Sequence, residues 1–133
     1  MNIVYSSSDA NAVCTGISMY SLFENNKEEE TLDVYILSTD IAKDNKNVLK
    51  SIATKFDRHI VFIEAKDDFE RVAKQFHLPL MRGSYNCSSR IILNTWFSHL
   101  DKVMVIDSDT MICGSIKKSL ESWYVRVILR HCA

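Results

Sequence analysis

Residues 102–111, KVMVIDSDTM, run four apolar side chains straight into two aspartates separated by one small residue. An apolar run of this length, closed by a polar turn, reads as a strand buried on both faces, as in a parallel sheet. Ligands in open α/β sheets bind beyond the carboxyl ends of such strands, so Asp107 and Asp109 stand where chemistry is expected. Two carboxylates this close repel each other unless a cation or a shared proton compensates. Hard oxygen donors of this kind suit Mg²⁺ or Mn²⁺, which also grip phosphate oxygens. The bland alternative stays open at this point, because a strand that ends in a polar loop also uses Asp as turn former or helix cap.

Working outward from that strand, the chain alternates strand and helix patterns. Residues 2–6 form a β-branched and aromatic run that ends in Ser6, Ser7, Ser8 and Asp9, a mixture of turn and helix-start chemistry. From Ala12 a helix is expected, with Val13, Ile17 and Tyr20 recurring at helical spacing. The polar stretch from Glu24 to Glu30 then reads as a solvated connection. Residues 32–37 give a second strand, 45–56 a helix with Val48, Leu49, Ile52 and Phe56 on one face, and 59–63 a third strand. Phe69, Val72, Ala73 and Phe76 mark another helix over 67–76. The only proline, Pro79, and Gly83 follow in a loop. Ser88 and Ser89 are positioned to cap a last helix, whose inward stripe is Leu93, Trp96, Phe97 and Leu100. That helix delivers the chain into the strand at 103–106. Strands alternating with helices imply right-handed crossovers and a mainly parallel three-layer α/β sheet.

Composition narrows the function classes. The 133 residues carry 16 Lys plus Arg against 17 Asp plus Glu, a net charge of -1. That leaves no electrostatic footprint for nucleic acid or an anionic membrane. The first residues lack a basic start and a continuous apolar stretch, and no segment approaches the roughly 20 apolar residues of a membrane span, so a cytoplasmic protein is expected. The four cysteines, Cys14, Cys87, Cys113 and Cys132, show no C-x-x-C pair and no His at zinc spacing. They read as reduced, mostly buried thiols.

Two strand exits then matter together: Ser6 to Asn11 and Asp107 to Thr110. If their strands are neighbours, the first supplies hydroxyls, backbone amides and a helix start for an anionic ligand, and the second supplies the metal such a ligand brings.

Three blocks resemble glycosyltransferase family 8: NIVYSSSDANAVCTGISMYSL at 2–22, SSRIILNTWF at 88–97 and LDKVMVIDSDTMICGSIKKSL at 100–120. Together with IAKDNKNVLKSI at 41–52, the likeness covers about residues 1 to 120. It implies a Rossmann-like GT-A fold, incomplete at the carboxyl end, with a nucleotide-sugar-binding half at 1–122 and a divergent tail at 123–133. It also implies a retaining enzyme that transfers a hexosyl group from a UDP-sugar to the hydroxyl of a carbohydrate or glycoconjugate acceptor. By the same resemblance Asp107 and Asp109 bind Mn²⁺ or Mg²⁺. Ser7, Ser8, Asp9, Asn11, Asp107 and Ser108 line the nucleotide and donor, and Arg90 faces the donor sugar. No catalytic residue is assigned. Asn11 stands where many relatives place an aromatic residue against the base, and Ser88 where they place a tyrosine. His131 lies in the tail, and the family's metal-binding histidine is not carried over to it.

Two rivals are weighed against this reading. A haloacid-dehalogenase-type phosphatase needs D-x-D-x-[TV], but here Thr110 comes one residue too early and Met111 holds the last position. The other rival is a truncated, non-catalytic nucleotide-binding remnant. For such a chain, apolar surface around Val103, Val105 and Ile106 is expected to be exposed and to favour self-association.

Overall fold

The computed structural model describes residues 1–79 and 93–117. Strands β1 (Asn2–Ser7), β2 (Asp33–Ser38), β3 (Ile60–Glu64) and β4 (Met104–Val105) form one sheet in the order β3-β2-β1-β4. Every pairing is parallel: Asn2 stands beside Asp33, Val34 beside Ile60, and Ile3 beside Met104. Helices α1 (Ala12–Glu24), α2 (Lys43–Lys55), α3 (Lys66–Gln75) and α4 (Leu93–Phe97) fill the crossovers among the described residues.

The period-2 alternation of the strands sorts their side chains into two layers. Ile3, Tyr5, Val34 and Ile36 enter one core with Met19, Leu22 and Phe23 of α1 and Leu49 and Ala53 of α2. Val4 and Leu37 enter the other with Phe69 and Val72 of α3 and Leu93 and Phe97 of α4. Helices therefore cover both faces, which makes the expected three layers. Helices α2 and α3 end on left-handed residues, Asp57 at φ 54° and His77 at φ 51°. The amides that follow them, Arg58 N–H and Leu78 N–H, bond back to the Ala53 and Ala73 carbonyls, both at 2.9 Å.

Four expectations are corrected. First, α1 does not bury Val13, Ile17 and Tyr20: Val13 is 70% and Ile17 53% exposed. The inward face instead carries Thr15, Gly16, Ser18, Met19, Leu22 and Phe23. Thr15 and Ser18 are buried at no polar cost because Ser7 and Tyr5 of β1 bond them, at 2.7 and 3.1 Å. Second, β4 is not buried on both faces. Its ladder is two residues long, extended by Ile106 N–H to the Val4 carbonyl at 3.0 Å, and Val103, Met104 and Val105 are half-buried. Third, Ile106 is buried, and among the described residues the large exposed apolar side chains include Val13, Ile17, Val48 and Met111, around a groove of about 430 Å³ between α1 and α2. Fourth, Cys14 and Cys113 are exposed free thiols, while Cys87 and Cys132 lie outside the described residues.

Candidate functional site

Strand order decides where a ligand sits. The chain winds from β1 to β2 to β3 in one direction and then returns to place β4 on the other side of β1. The reversal opens a crevice between the carboxyl ends of β1 and β4, the topological switch point of this architecture. The two sequence segments singled out above, Ser7 to Asn11 and Asp107 to Asp109, both leave the sheet there.

A hydrogen bond joins them. Ser108 Oγ donates to the Ser6 carbonyl at 2.8 Å, across 102 positions of sequence. The turn it holds is closed by Thr110 N–H to the Asp107 carbonyl at 3.1 Å. Asp107 and Asp109 are exposed on either side of half-buried Ser108. Among the described residues no three acidic, His or Cys side chains are grouped as a ready metal cage. Two carboxylates fit a Mg²⁺- or Mn²⁺-type ion that takes its remaining oxygens from water and phosphate, so the donor set is compatible with that cofactor.

On the β1 side the side chains divide. Ser7 is fully buried and its hydroxyl is engaged by Thr15 Oγ1 at 2.7 Å, so its side chain belongs to the core beneath the site. Ser8 is half-buried at the strand exit, and Asn11 is exposed at the start of α1. A 3-10 turn spans Asp9–Asn11, with Asn11 N–H bonded to the Ser8 carbonyl at 3.1 Å. Asp9 faces the neighbouring β2 exit: its Oδ1 accepts from Ala42 N–H and from Asn45 Nδ2, both at 2.8 Å. These bonds, the Ala42 amide above all, hold the Asp9 carboxyl below the usual aspartate range. Ser6 Oγ is buried with no partner among the described residues. Arg90 lies outside the described residues.

Sequence reading missed the β2 and β3 exits. Asp40 Oδ1 accepts from Asp9 N–H at 2.9 Å, and Thr39 N–H reaches the Ser7 carbonyl at 3.2 Å. Farther along the same edge, Glu64 accepts from Lys46 Nζ and from Ser38 Oγ. Asp9 and Asp40 each lie two residues beyond Ser7 and Ser38, which are register partners, a correspondence that emerges only once β1 and β2 pair.

A doubly wound sheet with helices on both faces and an acidic turn at its switch point defines a Rossmann-like fold of the GT-A type, and solved glycosyltransferases share it. The chain superposes on galactosyltransferase LgtC, solved with donor and acceptor sugar analogues, with TM-score 0.75 and 20% identity over 92% of this chain and 42% of that one. It matches the bifunctional glycosyltransferase WbbM with TM-score 0.73 and 20% identity, over 91% of this chain and 20% of that one. Mouse xyloside xylosyltransferase 1 matches with TM-score 0.62 and 12% identity, over 90% and 46%. The chain thus spans less than half the length of each of these proteins. No curated protein matches it in sequence. The model of glycosyl transferase family 8 matches residues 2–122, and the chain belongs to that family.

Proposed function

We propose that this chain carries the donor half of a metal-dependent glycosyltransferase, which moves a hexosyl group from a UDP-sugar to a carbohydrate hydroxyl with retention of configuration. The observation that carries the reading is the junction of the β1 and β4 exits, where the Ser108–Ser6 bond sets an exposed pair of carboxylates beside the exit of β1. Family membership supports glycosyl transfer, and the carboxylate pair supports metal dependence.

In this reading Asp107 and Asp109 hold Mn²⁺ or Mg²⁺. When bound, the cation supplies Lewis-acid stabilisation of the negative charge that gathers on the departing diphosphate. The chain's own contribution is placement. Ser108 fixes the acidic turn against β1, Ser8 and Asn11 border the nucleotide side of the crevice, and buried Ser7 supports it through Thr15. Arg90 is proposed, by resemblance, to orient the donor sugar with its planar fork of N–H donors. Among the described residues no helix is long and apolar enough to cross a membrane, and a cytoplasmic address is proposed on the same reading.

Calorimetry of UDP binding with and without Mn²⁺ tests the site. Binding that needs the metal, and is lost in Asp107→Asn/Asp109→Asn, is expected; equal binding without metal would defeat the assignment. A UDP-release assay across several UDP-sugars, with and without carbohydrate acceptors, separates transfer from nucleotide binding alone.

A further inference from the structure

The first two strand exits exchange hydrogen bonds in both directions. Asp9 N–H donates to Asp40 Oδ1 at 2.9 Å, and Ala42 N–H, at the start of α2, donates to Asp9 Oδ1 at 2.8 Å. Asn45 Nδ2, one turn into α2, adds a second donor to the same Asp9 oxygen at 2.8 Å. Thr39 contributes its hydroxyl to Asp40 Oδ1 at 3.3 Å and its N–H to the Ser7 carbonyl at 3.2 Å. Ala42 precedes α2 without a capping side chain of its own, so the carboxylate that accepts from its amide comes from a residue 33 positions earlier, in addition to Asp44 in the helix's first turn. Negative charge at a helix start is favourable, which suits an aspartate to that place.

We propose that Asp9 and Asp40 are positioning residues: a reciprocal carboxylate–amide clamp that joins the β1 and β2 exits into one unit and fixes the Ser8 to Asn11 backbone at the edge of the nucleotide site. The effect on nucleotide binding rests on the donor-site reading above; the clamp itself does not. It reassigns Asp9 from a group that lines the ligand to a group that holds the loop. Each aspartate receives its donors on a single oxygen, so an asparagine that presents its carbonyl in that place keeps the clamp, whereas alanine removes it.

The test compares the full chain with Asp9→Ala, Asp9→Asn, Asp40→Ala and Asp40→Asn. Amide hydrogen exchange is resolved at Asp9 and Ala42, and calorimetry measures UDP binding in Mn²⁺. Both alanine variants should speed exchange at both amides, so that losing Asp40 is felt at Ala42. Their UDP affinity should fall roughly three- to tenfold, the loss of about one net hydrogen bond. Both asparagine variants should stay close to wild type in both readouts. Asp40→Ala without any change at Ala42 would overturn the clamp. Asp9→Asn losing UDP as fully as Asp9→Ala would show that the charge itself touches the ligand, and would overturn the positioning role. Coupled exchange in a wild-type chain that binds no UDP would uphold the clamp and overturn the donor-site reading.

Discussion

Ser108 Oγ donates to the Ser6 carbonyl at 2.8 Å, and this contact places the turn of Asp107 and Asp109 directly beside the exit of β1. The β4 ladder is only two residues long, so the bond holds a segment that sheet pairing grips weakly. Parallel pairing sends both strands toward the same edge, and the serine sets how closely their exits meet.

Ser108→Ala should therefore affect binding more than folding. The lost hydrogen bond is worth about 1 kcal/mol of stability. On the proposed donor-site reading, UDP affinity in Mn²⁺ should fall roughly three- to tenfold as the carboxylates lose their fixed distance from β1. Calorimetry and thermal unfolding of the same variant measure the two effects. A fall in stability with unchanged affinity would remove Ser108 from the site.

Tyr5 gives the fold a response at alkaline pH. It is fully buried and shares a 3.1 Å hydrogen bond with Ser18. Burial pushes its phenol from 10.0 up to about 12, against a smaller lowering by Ser18. A neutral acid whose folded pKa exceeds its unfolded value stabilises fully below the unfolded value and loses that stability as pH rises toward the folded one. The window is pH 10 to 12, and the loss is on the order of 2–3 kcal/mol. At pH 8, Tyr5→Phe should cost about 1 kcal/mol for the partner left on Ser18. Between pH 10 and 12 the gap should close and then reverse. Denaturant unfolding of both chains across that range checks it, and a gap that stays constant would refute the assignment.

Gly16 lies where α1 meets α2. A Cβ there would stand 3.2 Å from Ile52 Cδ1 and 3.4 Å from Leu49 Cδ2. The nearer atom is the tip of a half-buried side chain bordering the open groove, so it can turn away. Alanine is favoured over glycine by about 1 kcal/mol within a helix. Gly16→Ala should therefore stabilise by about 0.5 kcal/mol, while Gly16→Leu should destabilise by roughly 1–3 kcal/mol through overpacking. Thermal unfolding of the pair measures both signs.

The alternation of strands and helices was legible because short apolar runs and helical stripes differ in period, and parallel crossovers follow from it. The Asp107–Asp109 turn was legible because an apolar run points straight at it. The inward face of α1 was not: Thr15 and Ser18 look like surface residues until Ser7 and Tyr5 supply their hydrogen bonds. Packing at a polar contact between distant residues leaves no periodic trace. The partners of Asp9 escaped for the same reason, since Asp40, Ala42 and Asn45 reach it only after β1 and β2 pair in register.

Asp9 makes the last prediction one about acid. Its carboxyl is held below the ordinary value of 3.8, chiefly by the Ala42 amide and then by Asn45. An acid with a depressed folded pKa contributes stability that is present above the unfolded value and is lost as pH falls through the folded one. The contribution is thus present at neutral pH and declines below pH 3.8. Asp9→Asn keeps an acceptor for both donors but removes the charge beside the start of α2. It should be slightly less stable than wild type at pH 7, and the difference should shrink as pH falls from 3.8, where the wild-type carboxyl takes up its proton. Thermal unfolding of the two chains at pH 7, 5, 4 and 3 measures the difference. A gap that stays constant in acid would mean that protonation of Asp9 costs the folded chain nothing, and that the two donors do not hold its charged form.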